Sequence, residues 1–216
     1  MKGYKAYLFD FDYTLADSSR GIVKCYRNVL NRHGFTSVSD DEIKRTIGKT
    51  LEESFSIFTG SHDSGFLASL KKEYVAEADR IMTDNTVLFP ETINVLSTLK
   101  ASGAKTGIIS TKYRYRIKEC LDRNLIGDIA DIIIGGEDVK QPKPSPEGLE
   151  LAIARLDIEK SDVLYIGDST VDAETARRAS VDFAGVLNGV TTAAELSGYT
   201  HVGIMDNLNG LLQSHT

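Results

Sequence analysis

The chain has 216 residues, which is enough for one sizeable domain or for one domain that carries an insert. Its hydrophobic content of 41% and charged content of 26% are ordinary for a globular protein, and its formal net charge of −6 argues against a general nucleic-acid-binding surface. No stretch approaches the ~20 apolar residues that a membrane span needs, so we expect a protein that binds neither nucleic acid nor membrane.

The first predicted strand is Ala6–Phe9, a short apolar run that ends at Asp10. Residues 16–88 then contain one helical pattern after another and no convincing strand. The four predicted helices span residues 20–33, 40–46, 51–58 and 63–83. Asp40, or an acid beside it, is the expected cap of the second helix. The simplest interpretation is an all-helical insert between the first and second strands.

From residue 89 onward, apolar runs alternate with helical patterns. The predicted strands are residues 106–109, 132–134, 163–166 and 183–186. The predicted helices are residues 92–100, 116–124, 146–156, 171–179 and 192–196. This alternation predicts a parallel sheet with crossover helices, and the continuous apolar strands predict a sheet covered on both faces. We therefore expect an α/β fold.

The cysteine content and the N-terminus indicate a cellular compartment. Cys25 and Cys120 lie within helical patterns, and we interpret them as free thiols, with a disulfide left open. The apolar run near the N-terminus is short and is cut by acids, which is not typical of a signal peptide. The expected location is the cytoplasm.

Chemically useful side chains follow four of the predicted strands. They are Asp10, Asp12 and Thr14 after the first; Ser110, Thr111 and Lys112 after the second; Lys140 and Lys143 after the third; and Asp168 and Asp172 after the fourth. In an open parallel sheet, ligands bind beyond the carboxyl ends of the strands. If these strands are adjacent, acids, hydroxyl groups and a lysine meet at one edge.

Such an edge suits phosphoryl transfer to a carboxylate. Mg²⁺ prefers oxygen ligands, which Asp10, Asp168 and the backbone carbonyl of Asp12 can supply. A second oxygen of Asp10 can then attack phosphorus, since aspartate is an established nucleophile. Ser110 and nearby backbone N–H groups are candidate phosphate ligands, and a lysine of the KQPKP loop would neutralise further charge. Taken singly, the acids also fit a solvated strand end, Ser110 a helix cap, and Lys143 a loop lysine.

The ordered set of DFDYT at residues 10–14, Ser110, Lys143 and GDSTVD at residues 167–172 resembles the four motifs of the haloacid dehalogenase superfamily of aspartate-dependent phosphohydrolases. The resemblance implies a Rossmann-like core, residues 1–15 and 89–216, and a helical cap, residues 16–88. It also implies that the chain is an enzyme and that its cofactor is Mg²⁺.

The resemblance further implies a role for each matching residue. Asp10 matches the nucleophile, and Asp12 matches the general acid and base. The implied phosphate-binding set is Thr14, which also steadies its loop, Ser110, Thr111 and Lys143. The implied metal set is Asp10, Asp12, Asp168 and, in the outer sphere, Asp172. In the cap, Lys49 of IGKTLEESF is an expected substrate contact.

Within the superfamily, LADSS, IGKTLEESF and STK look like a phosphoglycolate phosphatase, which implies hydrolysis of a small phosphomonoester. Asp12 favours phosphate esters over haloacids, because an alkoxide leaving group needs a proton and a halide does not. Tyr13 stands where glycine is usual. Its ring either narrows the entrance beside the nucleophile or packs under the cap.

Other functions stay open. Within the superfamily they are a beta-phosphoglucomutase-like phosphosugar mutase, a pyrophosphatase and a nucleotidase; IGKTLEESF lacks the arginine usual in such mutases. The alternative of another class is a catalytically silent binding protein, against which the intact Asp10, Asp12 and Asp168 argue. The expected partner is a small phosphorylated metabolite, and the sequence leaves monomer and homodimer equally open.

Overall fold

The main sheet has six parallel strands in the order β5-β4-β1-β6-β7-β8. They are β1 (Ala6–Phe9), β4 (Lys105–Ile109), β5 (Ile132–Ile134), β6 (Val163–Gly167), β7 (Asp182–Val186) and β8 (Gly203–Met205). This computed structural model describes residues 3–213, so residues 1–2 and 214–216 of the predicted core lie outside the described residues. The predicted α/β fold with a Rossmann-like parallel sheet is confirmed.

Helices cover both faces of the sheet. One face packs against α5 (Thr92–Ala101), α6 (Arg114–Arg123) and α10 (Gly210–Gln213), and the other packs against α7 (Glu147–Leu156), α8 (Thr170–Ala179) and α9 (Ala193–Leu196). Successive side chains of β1 point to opposite faces, so Phe9 joins the first hydrophobic cluster and Leu8 joins the second. This two-sided burial explains why the strands read as continuous apolar runs.

A third hydrophobic cluster, confined to residues 22–82, holds the helical segment together. Its helices are α1 (Ser19–Arg32), α2 (Asp40–Lys44), α3 (Leu51–Thr59) and α4 (Ser64–Ile81). The ring of Tyr26 lies 5.0 Å from that of Phe55 and 4.6 Å from that of Tyr74, measured between centroids. The four predicted helices are thus present, and the boundaries of the cap at residues 16 and 88 stay a prediction.

The structure contains strands that the sequence did not indicate. β2 (Ala16–Asp17) and β3 (Val87–Leu88) form an antiparallel ribbon at the two ends of the segment that was expected to contain no strand. Each has only two residues, so neither can show a hydrophobic period. The edge strand β8 and the four-residue helix α10 were also missed, because elements this short leave no local pattern.

The expected cap of α2 was wrong by one residue. Ser39, not Asp40, is the N-cap: its hydroxyl accepts from the backbone N–H of Glu42, and the Glu42 carboxylate accepts from the backbone N–H of Ser39. Both cysteines are buried and free, as expected. No helix in the described part of the chain combines the length and hydrophobicity required to span a bilayer.

Candidate functional site

Strand order brings three of the predicted site residues together. β1 lies between β4 and β6, so Asp10, at the end of β1, lies between Ser110 and Asp168, which follow its two neighbours. The backbone extends this pairing by one step beyond the strands, with Asp10 N–H donating to the carbonyl of Ile166 at 2.9 Å. The three side chains therefore share the carboxyl edge of the sheet, where ligands bind in this class of fold.

Lys143 reaches this edge from the loop between β5 and α7. Its Nζ lies 2.7 Å from Asp10 Oδ1 and 2.6 Å from Asp172 Oδ1, and it is buried. Burial by itself lowers the pKa of Lys143, but Asp10 and Asp172 raise that pKa well above its usual value. The lysine is therefore held as a cation that fixes one oxygen of Asp10.

Asp10, Asp168 and Asp172 form a buried group whose carboxylate oxygens lie within 4.8 Å of one another. Asp172 already receives hydrogen bonds on both oxygens: Oδ1 from Lys143 and from Tyr165 (3.0 Å), and Oδ2 from the Ser169 hydroxyl (2.5 Å). The Asp168 carboxylate receives none from any other described residue. Asp10 and Asp168 thus have oxygens to offer a hard divalent cation, and Asp172 suits an outer position.

The electrostatics of this group also fit a cation. Burial raises the pKa of Asp10 to about 7; the charge of Lys143 opposes the rise, and Asp172 and Asp12 add to it. Burial likewise raises the pKa of Asp168 well above its usual value, with Asp172 and Asp10 contributing. One lysine does not balance these carboxylates, and a divalent ion beside them would favour their charged forms.

A cavity of about 460 Å³ lies between the cap helices and this edge. Asp12, Thr111 and Lys112 line its core side, and Asp12 Oδ1 lies 3.1 Å from Lys112 Nζ. Ser110 and Lys143 line a much smaller adjoining void that shares Thr111 with the cavity. Asp12 therefore faces the cavity directly, whereas Ser110 and Lys143 lie just beyond it.

The remaining predicted contacts divide into two groups. Lys49 lines the cavity from the cap, and the exposed Lys140 lines it from the core. Thr14 is fully buried, lines neither void, and its hydroxyl has no hydrogen-bond partner among the described residues. This position suits the role of steadying the loop rather than that of contacting phosphate.

Tyr13 packs rather than narrowing the entrance. Tyr13 is 7% exposed and does not line the cavity. It packs against Gly189, because a Cβ atom added to Gly189 would lie 3.1 Å from the Cβ atom of Tyr13. Its φ of 61° is in the left-handed region, which glycine adopts without the strain that a side chain causes. Burial raises the pKa of Tyr13 to about 12.

Sequence reasoning missed three residues of this site. The hydroxyl of Tyr165 lies 3.2 Å from Lys143 Nζ and 3.0 Å from Asp172 Oδ1, and its signal was a polar atom within an apolar strand. Ser169 and Asp172 form a capping box, which the S-x-x-D spacing could have predicted. Gly189 lies against Asp168, and nothing in the local sequence marks it.

Comparisons with known proteins identify the family. A crystal structure from Bacteroides fragilis, described as a haloacid dehalogenase-like hydrolase, superposes with a TM-score of 0.95 and 59% identity over 96% of this chain and 99% of that one. The pyrophosphatase PpaX of Bacillus velezensis is 28% identical over 98% of this chain and 96% of its own length. A phosphoglycolate phosphatase of Photorhabdus laumondii is 26% identical over 99% of this chain and 93% of its own length. Residues 7–186 match the haloacid dehalogenase-like hydrolases, and the chain belongs to this family.

Proposed function

We propose that this chain is a Mg²⁺-dependent phosphatase that hydrolyses a small phosphomonoester through a phosphoryl group carried on Asp10. The observation that supports it most is the buried Asp10 carboxylate, held on one oxygen by Lys143 and grouped with Asp168. The similarity to a phosphoglycolate phosphatase from Photorhabdus laumondii supports the same substrate class.

The reaction has two displacements at phosphorus. In the first, a carboxylate oxygen of Asp10 forms a bond to phosphorus, and the bond to the leaving oxygen breaks as Asp12 gives that oxygen its proton. In the second, Asp12 takes a proton from water, the water oxygen bonds to phosphorus, and the bond to Asp10 breaks. Asp12 suits this role because it lines the cavity where the leaving group would lie.

The surrounding residues bind and orient the phosphoryl group. Lys143 holds Asp10 Oδ1, which leaves the other carboxylate oxygen for attack. Ser110, Thr111 and Lys143 would contact the phosphoryl oxygens, while Thr14 steadies the loop from its buried position.

Asp10, Asp168 and the Asp12 carbonyl would hold Mg²⁺, with Asp172 in the outer sphere. When bound, the ion neutralises negative charge on the phosphoryl oxygens. The proposed substrate is a small phosphorylated metabolite, and the proposed compartment is the cytoplasm, which suits two buried free cysteines.

The test is release of phosphate from p-nitrophenyl phosphate with and without Mg²⁺. Asp10→Asn removes the nucleophile while keeping the shape of the side chain, and we expect activity to fall by at least ~10³-fold. Asp206→Asn, at an exposed aspartate of the core, is the matched control and should keep wild-type activity. Activity that persists in Asp10→Asn, or that does not need Mg²⁺, would contradict the proposal.

Hydrolysis of pyrophosphate is the second candidate function. It is favoured by the similarity to the pyrophosphatase PpaX of Bacillus velezensis, which extends over 98% of this chain. The two candidates share the nucleophile and differ in the leaving group. Comparing kcat/KM for phosphoglycolate, pyrophosphate, glucose 1-phosphate and nucleotides separates them and also tests the mutase and nucleotidase alternatives.

A further inference from the structure

The cavity beneath the cap is more cationic than the rest of the protein. Five of its lining residues are cationic and two, Asp12 and Glu52, are acidic, although the whole chain has a formal net charge of −6. The cationic residues are Lys49, Lys71, Lys112, Arg116 and Lys140. A concentration of positive charge in a concave site attracts anions.

Three of the lysines already have carboxylate partners. The pairs are Lys49 with Glu53 at 2.5 Å, Lys71 with Glu52 at 2.7 Å, and Lys112 with Asp12 at 3.1 Å. Their charges are therefore largely balanced within the protein. A fourth lysine, Lys140, is exposed to water.

Arg116 also has a carboxylate partner, but one of its nitrogens is left without an acceptor in the part of the chain that the structure describes. It lies in α6 and is only 6% exposed. Its Nη2 donates to the backbone carbonyl of Val75 at 3.0 Å and to Asp79 Oδ1 at 2.7 Å, both in α4 of the cap. Its Nη1 is buried and has no hydrogen-bond partner among residues 3–213. A buried donor without a partner costs free energy, which an acceptor on a ligand would recover.

A structural role accounts for Nη2 of Arg116 but not for Nη1. Arg116 hydrogen-bonds to α4 through Nη2 alone, beside the Tyr115 hydroxyl, which also donates to Asp79 Oδ1 at 2.7 Å, and Asp79 is half exposed to water. That bridge leaves Nη1 without an acceptor among the described residues, in a side chain that lines the cavity. Such a donor can bind an oxygen of a carboxylate or phosphate group.

The position and size of the cavity indicate what the anion belongs to. α6 begins at Arg114, two residues after Lys112, so one short segment carries both the proposed phosphate contacts and Arg116. The volume of about 460 Å³ exceeds what a phosphoryl group needs, and Tyr26, Tyr74 and other apolar residues line the wall. The cavity therefore has room for an organic substrate that carries a charged group at each end.

We propose that Arg116 binds a second anionic group of the substrate, a carboxylate or a further phosphate, while the phosphoryl group to be transferred lies beside Asp10. This inference rests on the proposed function and narrows its substrates to phosphorylated compounds with an anionic group at the other end. The planar guanidinium suits both kinds of group, because its N–H donors match the oxygens of carboxylates and phosphates.

The test is calorimetric binding of three phosphonates that cannot be hydrolysed, each in the presence of Mg²⁺. Methylphosphonate has one anionic end, 3-phosphonopropionate adds a carboxylate, and propane-1,3-bisphosphonate adds a second phosphonate. In Arg116→Met we expect about 10–100-fold weaker binding of a two-ended ligand and less than twofold change for methylphosphonate. The two-ended ligand with the larger loss identifies the second group.

The matched control is Arg123→Met. Arg123 lies in the same helix and pairs with Asp84, but its side chain is 55% exposed and it does not line the cavity. This variant removes the same charge and should bind all three ligands as wild type does. Asp79→Asn weakens the bridge to α4 while keeping Arg116, and it should not affect the two-ended ligands selectively.

Equal loss for all three ligands, no loss, or the same selective loss in Arg123→Met would overturn the inference. If circular dichroism shows that Arg116→Met does not fold, Arg116→Gln replaces it under the same expectations, since it removes the charge but keeps a polar side chain. These are binding measurements, so they stay informative if no substrate is hydrolysed. Failure of the proposed function appears separately, as absence of phosphate release from every phosphate ester and from pyrophosphate.

Discussion

Gly189 lies against the carboxylate of Asp168, in the loop that follows β7. A Cβ atom at this position would lie 2.1 Å from Asp168 Oδ2 and 3.1 Å from the Cβ of Tyr13. Tyr13 is buried and cannot move easily, so the carboxylate would have to shift. The absence of a side chain at residue 189 therefore sets where Asp168 points.

Gly189→Ala should displace Asp168 and weaken Mg²⁺ binding by about 10–100-fold, the usual effect of disturbing the surroundings of a metal ligand. The measurement is Mg²⁺ titration of phosphatase activity, supported by calorimetry without substrate. Gly203→Ala is the control, because a Cβ atom there meets nothing within 4 Å. If Gly189→Ala bound Mg²⁺ as tightly as the wild type, the loop would have to shift at little cost in free energy, and the prediction would be contradicted.

At the scale of elements, the first turn of α8 connects helix stability to the site. The Ser169 hydroxyl accepts from the backbone N–H of Asp172 and donates to Asp172 Oδ2 at 2.5 Å. The same carboxylate receives Lys143 on its other oxygen. The helix cap and the orientation of the site carboxylate therefore depend on one side chain.

Ser169→Ala should lower the free energy of unfolding by about 1 kcal/mol and lower kcat by about 10-fold, because Asp172 keeps its bonds to Lys143 and Tyr165. Ser39→Ala removes a capping box of the same kind at α2, none of whose residues lines the cavity. Urea unfolding and steady-state kinetics should show a stability loss in both variants and an activity loss in Ser169→Ala alone. Equal effects on activity would contradict this assignment.

At the scale of the whole molecule, the cap packs against the core. Arg116 bonds to α4, Thr83 donates to Glu119 at 2.9 Å, and a Cβ atom on Gly48 would lie 3.7 Å from Ser169 Oγ. Asp10 and Asp168 are only 2% and 5% exposed, and burial is the main cause of their raised pKa values. The stability of the protein should therefore respond to both protons and divalent ions.

The direction in which stability changes with pH follows from the linkage between proton binding and folding. The unfolded chain releases the protons of Asp10 and Asp168 near pH 4, whereas the folded protein holds the proton of Asp10 up to about pH 7 and that of Asp168 above its usual range. Without metal, the contribution of these two groups to the free energy of unfolding therefore falls as the pH rises through this window. Mg²⁺ needs the ionised carboxylates and competes with those protons.

We therefore expect Mg²⁺ to raise the melting temperature more at pH 8 than at pH 5. At pH 8 and about 100 times Kd, the increase should be about 5–10 °C. Thermal unfolding followed by circular dichroism at both pH values measures this. Asp10→Asn should lose most of the effect, and an increase that is the same at pH 5 and pH 8 would contradict the pKa assignment.

Much of this fold could be predicted from short stretches of the sequence. Buried strands such as β1 and β6 are continuous apolar runs, and the four cap helices have strong helical patterns, so both were predictable. The chemistry-bearing side chains were predictable as well, because polar residues stand directly after buried strands and match ordered motifs. These features depend on residues that are near one another in the chain.

The remaining features depend on residues far apart in sequence. The β2–β3 ribbon joins residues 16–17 to residues 87–88, and neither partner has a pattern of its own. Tyr165 and Gly189 contribute to the site through their contacts with Asp172 and Asp168, respectively. Arg116 is a candidate anion site because its Nη1 is buried without an acceptor in the described part of the chain. The sequence of one element determines its hydrophobic period and which of its faces is polar. Contacts between elements form only when the chain packs, so they cannot be predicted from the sequence of either element alone.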